Sequence, residues 1–235
     1  MHKEKKKPKT LFGKVWYFIW DDDSVLSWIV NIVLAFILIK YLIYPGLGFL
    51  LGTTHPVVAV VSGSMDHRLD DRKVICGQIP EGYKTNFDGF WDVCGEYYRS
   101  LDIDKPEFDK FIFSNGFSKG DIIVLLGTKP DKIKVGDVLV FRGARSNSKA
   151  DPIIHRIVKI TDTDGRLIFR TKGDHNADSI NGCFADGCIF ESDIYSEQVI
   201  GKAVFRIPFL GNIKIWFVEF LKLLKLDKSV GGLFN

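Results

Sequence analysis

Val57-Val58-Ala59-Val60-Val61-Ser62-Gly63-Ser64-Met65 is the stretch on which the reading of this chain turns. A β-branched run predicts a strand. It empties into Ser-Gly-Ser-Met, where a small, permissive residue separates two hydroxyls. A serine set at the end of a strand is a candidate nucleophile. What lies on either side decides where that serine sits and what surrounds it.

Upstream, Val25 to Leu51 is apolar, and Lys40 is its one charge. About 20 apolar residues suffice for a membrane helix, so 25–51 predicts a transmembrane anchor. Asp21-Asp22-Asp23-Ser24 offers an N-cap and places acids at the positive helix end. Pro45-Gly46 is expected to end or kink the helix. Residues 11–20 carry Trp16, Tyr17 and Trp20 and suit an interfacial segment. The apolar run exceeds the ~7–15 residues of a signal-peptide core, and no clean small-x-small site follows. Lys3, Lys5, Lys6, Lys7 and Lys9 stand against Glu4 at the N-terminus. The positive-inside rule then keeps residues 1–24 cytoplasmic and puts everything after about Leu51 on the outer face.

The whole chain has 235 residues, 46% hydrophobic and 26% charged, with a formal net charge of +3. That composition is globular rather than disordered. It leaves room for one ordinary domain beyond the anchor. No basic stripe with interleaved aromatics appears, which argues against nucleic acid as a partner. Four cysteines fall as Cys76 and Cys94, then Cys183 and Cys188. Tight C-x-x-C pairs are absent, which argues against a metal site. Outside the cytoplasm disulfides form. Three connectivities exist, and proximity along the chain favours Cys76–Cys94 and Cys183–Cys188.

Downstream of Ser64 the legible segments are strands: 121–126, 137–141, 152–160, 166–171 and 199–205. Short strands with turn signals between them predict a mainly β domain of sheets or a partly closed barrel. Residues 66–119 break the rhythm. They are rich in aromatics, contain Cys76 and Cys94, and read as an insertion that is partly helical at most. Residues 213–235 predict a short amphipathic helix lying on the membrane, with a second span or a core helix as alternatives. The expected organisation is therefore a tail over 1–24, an anchor over 25–51, a β domain over 52–212 and a membrane-associated helix over 213–235.

A serine nucleophile needs a base, and the base needs an acid that fixes its tautomer. His155, in Ile153-Ile154-His155-Arg156, is either a satisfied core residue or a placed base. His67 is nearer in sequence, but two residues past Met65 is poor geometry for reaching Ser64. Lys172-Gly173-Asp174-His175-Asn176-Ala177-Asp178 offers two acids in a turn, where Asp and Asn also serve as backbone caps.

Taken in order, these pieces carry a resemblance. Ser-Gly-Ser-Met after an apolar span is followed by Gly-Asp-Val-Leu-Val-Phe, Ile-Ile-His-Arg-Ile-Val, Thr-Lys-Gly-Asp-His-Asn and Ile-Pro-Phe-Leu-Gly-Asn-Ile. The series resembles type I signal peptidases, in the archaeal and endoplasmic-reticulum branch that uses His where bacterial enzymes use Lys. The match covers about residues 25–65 and 120–216. It implies a mostly β catalytic domain with coiled sheets and a serine endopeptidase activity that removes signal peptides from exported preproteins. It implies no cofactor. Expected partners are preproteins, membrane lipid and translocon or accessory subunits. Ser64 matches the nucleophile, His155 the general base, and Ser62 with the Ser64 N–H the oxyanion donors. Asp174 matches the acid of the Gly-Asp-Asn box.

Two departures stand out. Relatives carry a further acid six positions past the Gly-Asp acid, and here that position is Ile180. Asp178 is the nearest replacement and is expected to complete the triad, with Asp174 in support. The 66–119 insertion is the second departure. A rival reading is a catalytically silent, membrane-anchored β domain that binds partners through that insertion. A related self-cleaving repressor would need a DNA-binding domain and a Lys base, so the span and His155 argue against it.

Overall fold

A computed structural model describes residues 10–143, 152–184 and 187–210. The helix expected over 213–235 lies outside these residues. The chain divides into two units, Met1–Leu50 and Leu51–Asn235.

The first unit is helical. Thr10 caps α1 (Leu11–Trp20) by accepting from the Gly13 N–H at 3.2 Å, and Ser24 caps α2 (Val25–Leu38) through the Ser27 N–H. Ser27 Oγ and Asn31 Nδ2 donate to the carbonyls of Phe18 and Ile19, which closes the corner between α1 and α2. The apolar helix does not stop at Pro45. A π-helical turn over Ile39–Ile43 leads into α3 (Tyr44–Leu51). Proline lacks an N–H and its ring collides with the carbonyl four residues back. Widening the helix just ahead of Pro45, with Tyr44 N–H reaching Ile39 O, absorbs that collision and lets the helix continue. The resulting span, Val25–Leu51, has 27 residues and is long and apolar enough to cross a membrane.

The second unit is mainly β. Seven antiparallel strands make one sheet: β1 (Val57–Ala59), β2 (Ile122–Leu126), β3 (Val138–Phe141), β4 (Ile153–Thr163), β5 (Arg166–Lys172), β8 (Ile194–Tyr195) and β9 (Val199–Ile207). Their spatial order is β1-β2-β9-β3-β4-β5-β8. Register shifts at Val124/Leu125, Val140/Phe141 and Ile157/Lys159 curl the sheet, because each extra residue bends its strand and adds twist. β6 (Asn181–Phe184) and β7 (Gly187–Phe190) form a separate two-stranded hairpin. The sequence predicts β2, β3, β4, β5 and β9 but not β6, β7 and β8; β8 has two residues, and β6 and β7, no shorter than β3, carry Gly182 and Gly187 in place of a continuous apolar run.

Three apolar clusters hold this unit together. Val60, Met65, Phe117, Ile123, Leu125, Val138, Val140 and Ala203 form one. Leu139, Phe141, Ile157, Phe169 and Ile194 belong to a second. The third is built largely by the insertion, which contains α4 (Phe87–Arg99) and α5 (Lys105–Asp109). There Phe90, Trp91, Tyr98 and Phe108 pack with Val158 of β4. Tyr98 and Phe108 meet edge-on at 4.6 Å, a geometry worth ~0.5–1.5 kcal/mol beyond the area it buries. The insertion is thus a second wall against the strand that carries His155.

Candidate active site

Ser64 is set by the backbone on both sides of it. β1 hands the chain to Val60, whose N–H donates to Asp121 O and whose carbonyl accepts from Gly120. The Asp66 N–H closes a tight turn on Gly63 O. Met65 is fully buried and acts as a plug, while its carbonyl accepts from the Phe117 N–H. The Ser64 carbonyl accepts from the His175 N–H at 2.9 Å. The side chain between these anchors stays partly exposed.

β4 delivers the base. Successive residues of a strand face opposite sides, so His155 and Arg156 diverge. His155 is 4% exposed, and its Nε2 lies 2.9 Å from Ser64 Oγ. Its Nδ1 lies 2.5 Å from Glu191 Oε1. An ionised carboxylate only accepts. Nδ1 therefore carries the proton, and Nε2 is left as the acceptor facing the serine hydroxyl. Glu191 is buried and held from three sides. Thr171 Oγ1 donates to Oε1 at 2.8 Å, the Ile180 N–H donates to Oε2 at 2.6 Å, and the Glu191 carbonyl accepts from the Thr171 N–H. Ser62 Oγ stands 3.1 Å from Ser64 Oγ. Gly173 lines the same spot. A Cβ there would come within 2.8 Å of both His155 Nε2 and Ser64 O, so only glycine allows this approach.

The two expected acids are elsewhere. Asp178 is exposed at the surface and pairs with Arg170 at 3.2 Å. Asp174 is fully buried on the opposite face of β4. Its Oδ1 accepts from Tyr98 OH and Arg156 Nε, and its Oδ2 accepts from Arg156 Nη2 and lies 3.0 Å from His67 Nε2. Arg156 spends its other N–H groups on the carbonyls of Ile112, Phe113 and Gly136 and lies over the Phe108 ring. Burial alone would push the Asp174 carboxyl up. The Arg156 charge and the hydrogen bonds from His67 and Arg156 outweigh it and hold the group far below the usual carboxylate range. Burial, reinforced by the Asp174 charge, pushes the Tyr98 phenol well up. His67, the nearer histidine in sequence, stacks on Phe90 and serves Asp174 rather than Ser64.

Lys172 sits opposite Arg156 in the β4–β5 ladder and is also buried. Its Nζ donates to the carbonyls of Gly173 and Asp174 and lies over the rings of Tyr97 and Tyr98. Burial pushes this ammonium down to about 8, against the pull of Asp174 and Glu191. The disulfide Cys76–Cys94 joins the start of the insertion to α4. The Cys76 N–H donates to His175 O, so this bridge abuts the turn that backs Ser64. Cys183–Cys188 crosses the β6–β7 hairpin.

The structure thus brings Ser62, Ser64 and His155 together, and it brings Glu191 to the imidazole in place of Asp178 or Asp174. The reason is visible in the chain path. Glu191 N–H donates to Ile180 O at 2.9 Å, so Glu191 lies directly across from the position at which an acid was expected. Eleven residues later the hairpin returns to the same place. The signal that could have found it is Cys183-Phe184-Ala185-Asp186-Gly187-Cys188, two cysteines around an Asp-Gly turn signal, which predicts a hairpin.

No family model matches the chain. Over 107 residues, 45% of its length, it is 29% identical to the signal peptidase complex catalytic subunit SEC11C of Homo sapiens and covers 53% of that protein. It is 34% identical over 106 residues to the corresponding SEC11 subunit of Lachancea thermotolerans, covering 44% of this chain and 59% of that one. With the SEC11 subunit of Plasmodium falciparum the identity is 31% over 106 residues. The chain spans about half the length of the curated relatives it matches. These relatives are signal peptidase catalytic subunits, and they bear out the resemblance read from the ordered boxes.

Proposed function

We propose that this chain is a membrane-anchored serine endopeptidase that removes N-terminal signal peptides from exported preproteins. The observation that carries the reading is the chain of contacts Ser64 Oγ–His155 Nε2 and His155 Nδ1–Glu191 Oε1, at 2.9 and 2.5 Å. The likeness to signal peptidase catalytic subunits supports the substrate class.

In this mechanism the Ser64 hydroxyl attacks the scissile carbonyl carbon while its proton passes to His155 Nε2. Glu191 stabilises the imidazolium that forms and keeps its ring oriented. The new oxyanion takes hydrogen bonds from the Ser64 N–H and the Ser62 hydroxyl, each such donor being worth ~3–4 kcal/mol of barrier. Collapse breaks the C–N bond, and His155 gives its proton to the leaving amine. Water then attacks the acyl-enzyme, loses a proton to His155 and releases the signal peptide. That proton returns to Ser64 Oγ. Asp174 has no place in these steps; it secures the opposite face of the strand.

The substrate enters as an added strand. β1 is an edge strand that runs toward Ser64, and an extended peptide can pair with such an edge. The basic tail is cytoplasmic and the β unit with its two disulfides lies outside, at the cytoplasmic membrane. Cleavage of a preprotein in membranes by wild type, Ser64→Ala and His155→Ala tests the reading. Wild type is expected to process it and neither variant to do so; full cleavage by Ser64→Ala would sink the mechanism.

A further inference from the structure

We propose that the Cys183–Cys188 disulfide is a positioning element for catalysis, fixing the register of the hairpin that carries Glu191 to His155. The inference rests on the proposed Ser64–His155–Glu191 mechanism. β6 and β7 have four residues each and form a sheet of their own, apart from the seven-stranded one. An isolated two-stranded hairpin is marginal in water. Its sequence includes Gly182 and Gly187, and Gly-rich strands specify their register weakly. Cys183 stands directly across from Cys188, and Asn181 across from Phe190. The next step along the same ladder is Ile180 and Glu191, joined by the Glu191 N–H to Ile180 O bond and by the Ile180 N–H to Glu191 Oε2 bond.

The cross-link therefore acts on the acid through register. Side chains alternate faces along a strand, so a slip of one residue would swing Glu191 away from the imidazole. Covalent closure at 183–188, three pairs before the Ile180–Glu191 step, forbids that slip. Thr171 holds Glu191 from the core side, and the hairpin sets it from the other. The same hairpin separates the acid from the Gly-Asp box by eleven more residues than the resemblance leads one to expect. A displaced acid needs such a pin.

The test uses the full-length protein in detergent with a serine-directed fluorophosphonate, reading the rate of Ser64 labelling, alongside preprotein cleavage. Four forms are compared: wild type, C183S/C188S, E191Q and the triple variant. C183S/C188S is expected to lose roughly 10- to 100-fold, the scale of a misplaced catalytic group. In the E191Q background the same two substitutions are expected to change the rate less than about 2-fold, because the pair acts only through Glu191. A second readout is the downfield His155 Nδ1 proton resonance, expected in wild type and lost in C183S/C188S. Equal losses in both backgrounds, or no loss at all, overturn the inference while leaving the mechanism standing. Failure of wild type to label at Ser64 overturns both. If C183S/C188S does not fold, C183T/C188T supplies a β-branched cross-strand pair, and the same non-additivity is expected of it.

Discussion

Two buried carboxylates lie on opposite faces of β4, and their surroundings assign them different work. Glu191 meets a histidine, a threonine hydroxyl and a backbone N–H. Among the described residues no Arg or Lys bonds its oxygens, and Lys172 acts on it only through space, so in the proposed mechanism it is placed to stabilise His155 when the imidazole takes a proton. Asp174 meets Arg156 through both oxygens and a tyrosine besides. Its charge is matched by that fixed cation, and the histidine that also reaches its Oδ2, His67, stacks on Phe90 rather than facing Ser64. Proximity to the Gly-Asp box therefore does not pick out the acid for the proposed mechanism; contact with the histidine that faces Ser64 does.

Glu191→Gln is the sharpest way to break this comparison. An amide donates to Nδ1 and favours the tautomer with the proton on Nε2, which cannot accept from Ser64. The expected loss is on the order of 10⁴ in kcat, measured with a preprotein substrate, with little change in melting temperature. Asp174→Ala should do the reverse. Arg156 would be left buried and unpaired, a cost of about 3–5 kcal/mol in unfolding free energy, read by thermal or denaturant unfolding. Equal activity losses from the two variants, at equal stability, would erase the distinction.

Lys172 sharpens it through pH. The unfolded chain holds this proton up to about 10.4, whereas the folded protein releases it at about 8. Between those values the unfolded state binds more protons, so stability rises with pH. The rise is on the order of 2–4 kcal/mol, and Lys172→Met should flatten it in melts taken from pH 7 to 10. Asp178→Asn is the smallest effect. Its partner Arg170 is a surface group, and exposed pairs contribute ~0–1 kcal/mol; activity is expected to stay within about 2-fold.

The fold was largely legible because the strands are short runs rich in Val and Ile and are punctuated by Gly120, Gly136 and Gly165. Ser64 and His155 stood out because one lies in a Ser-Gly-Ser-Met turn just past a β-branched run and the other inside an apolar strand. Glu191 was not. Its role depends on a cross-strand meeting with Ile180, and spacing along the chain cannot show a pairing made through a hairpin. Asp174 was misread for a related reason. Its partners His67, Tyr98 and Arg156 lie 107, 76 and 18 residues away, and only packing brings them together. The π turn ahead of Pro45 was equally hidden, since proline predicts a break and not the widened turn that avoids one.

The separations behind these contacts carry a consequence for the birth of the protein. Ser64 and His155 are 91 residues apart, and His155 and Glu191 a further 36. Contacts that close long loops form late, after local helices and hairpins. Arg156, adjacent to His155, completes its bonds only when the carbonyls of Ile112 and Phe113 have arrived. A nascent or half-folded chain therefore has Ser64 without the His155 and Glu191 contacts on which the proposed mechanism depends. Under the proposed mechanism the reactivity of Ser64 would therefore arise only as the domain closes, with its last long-range contacts.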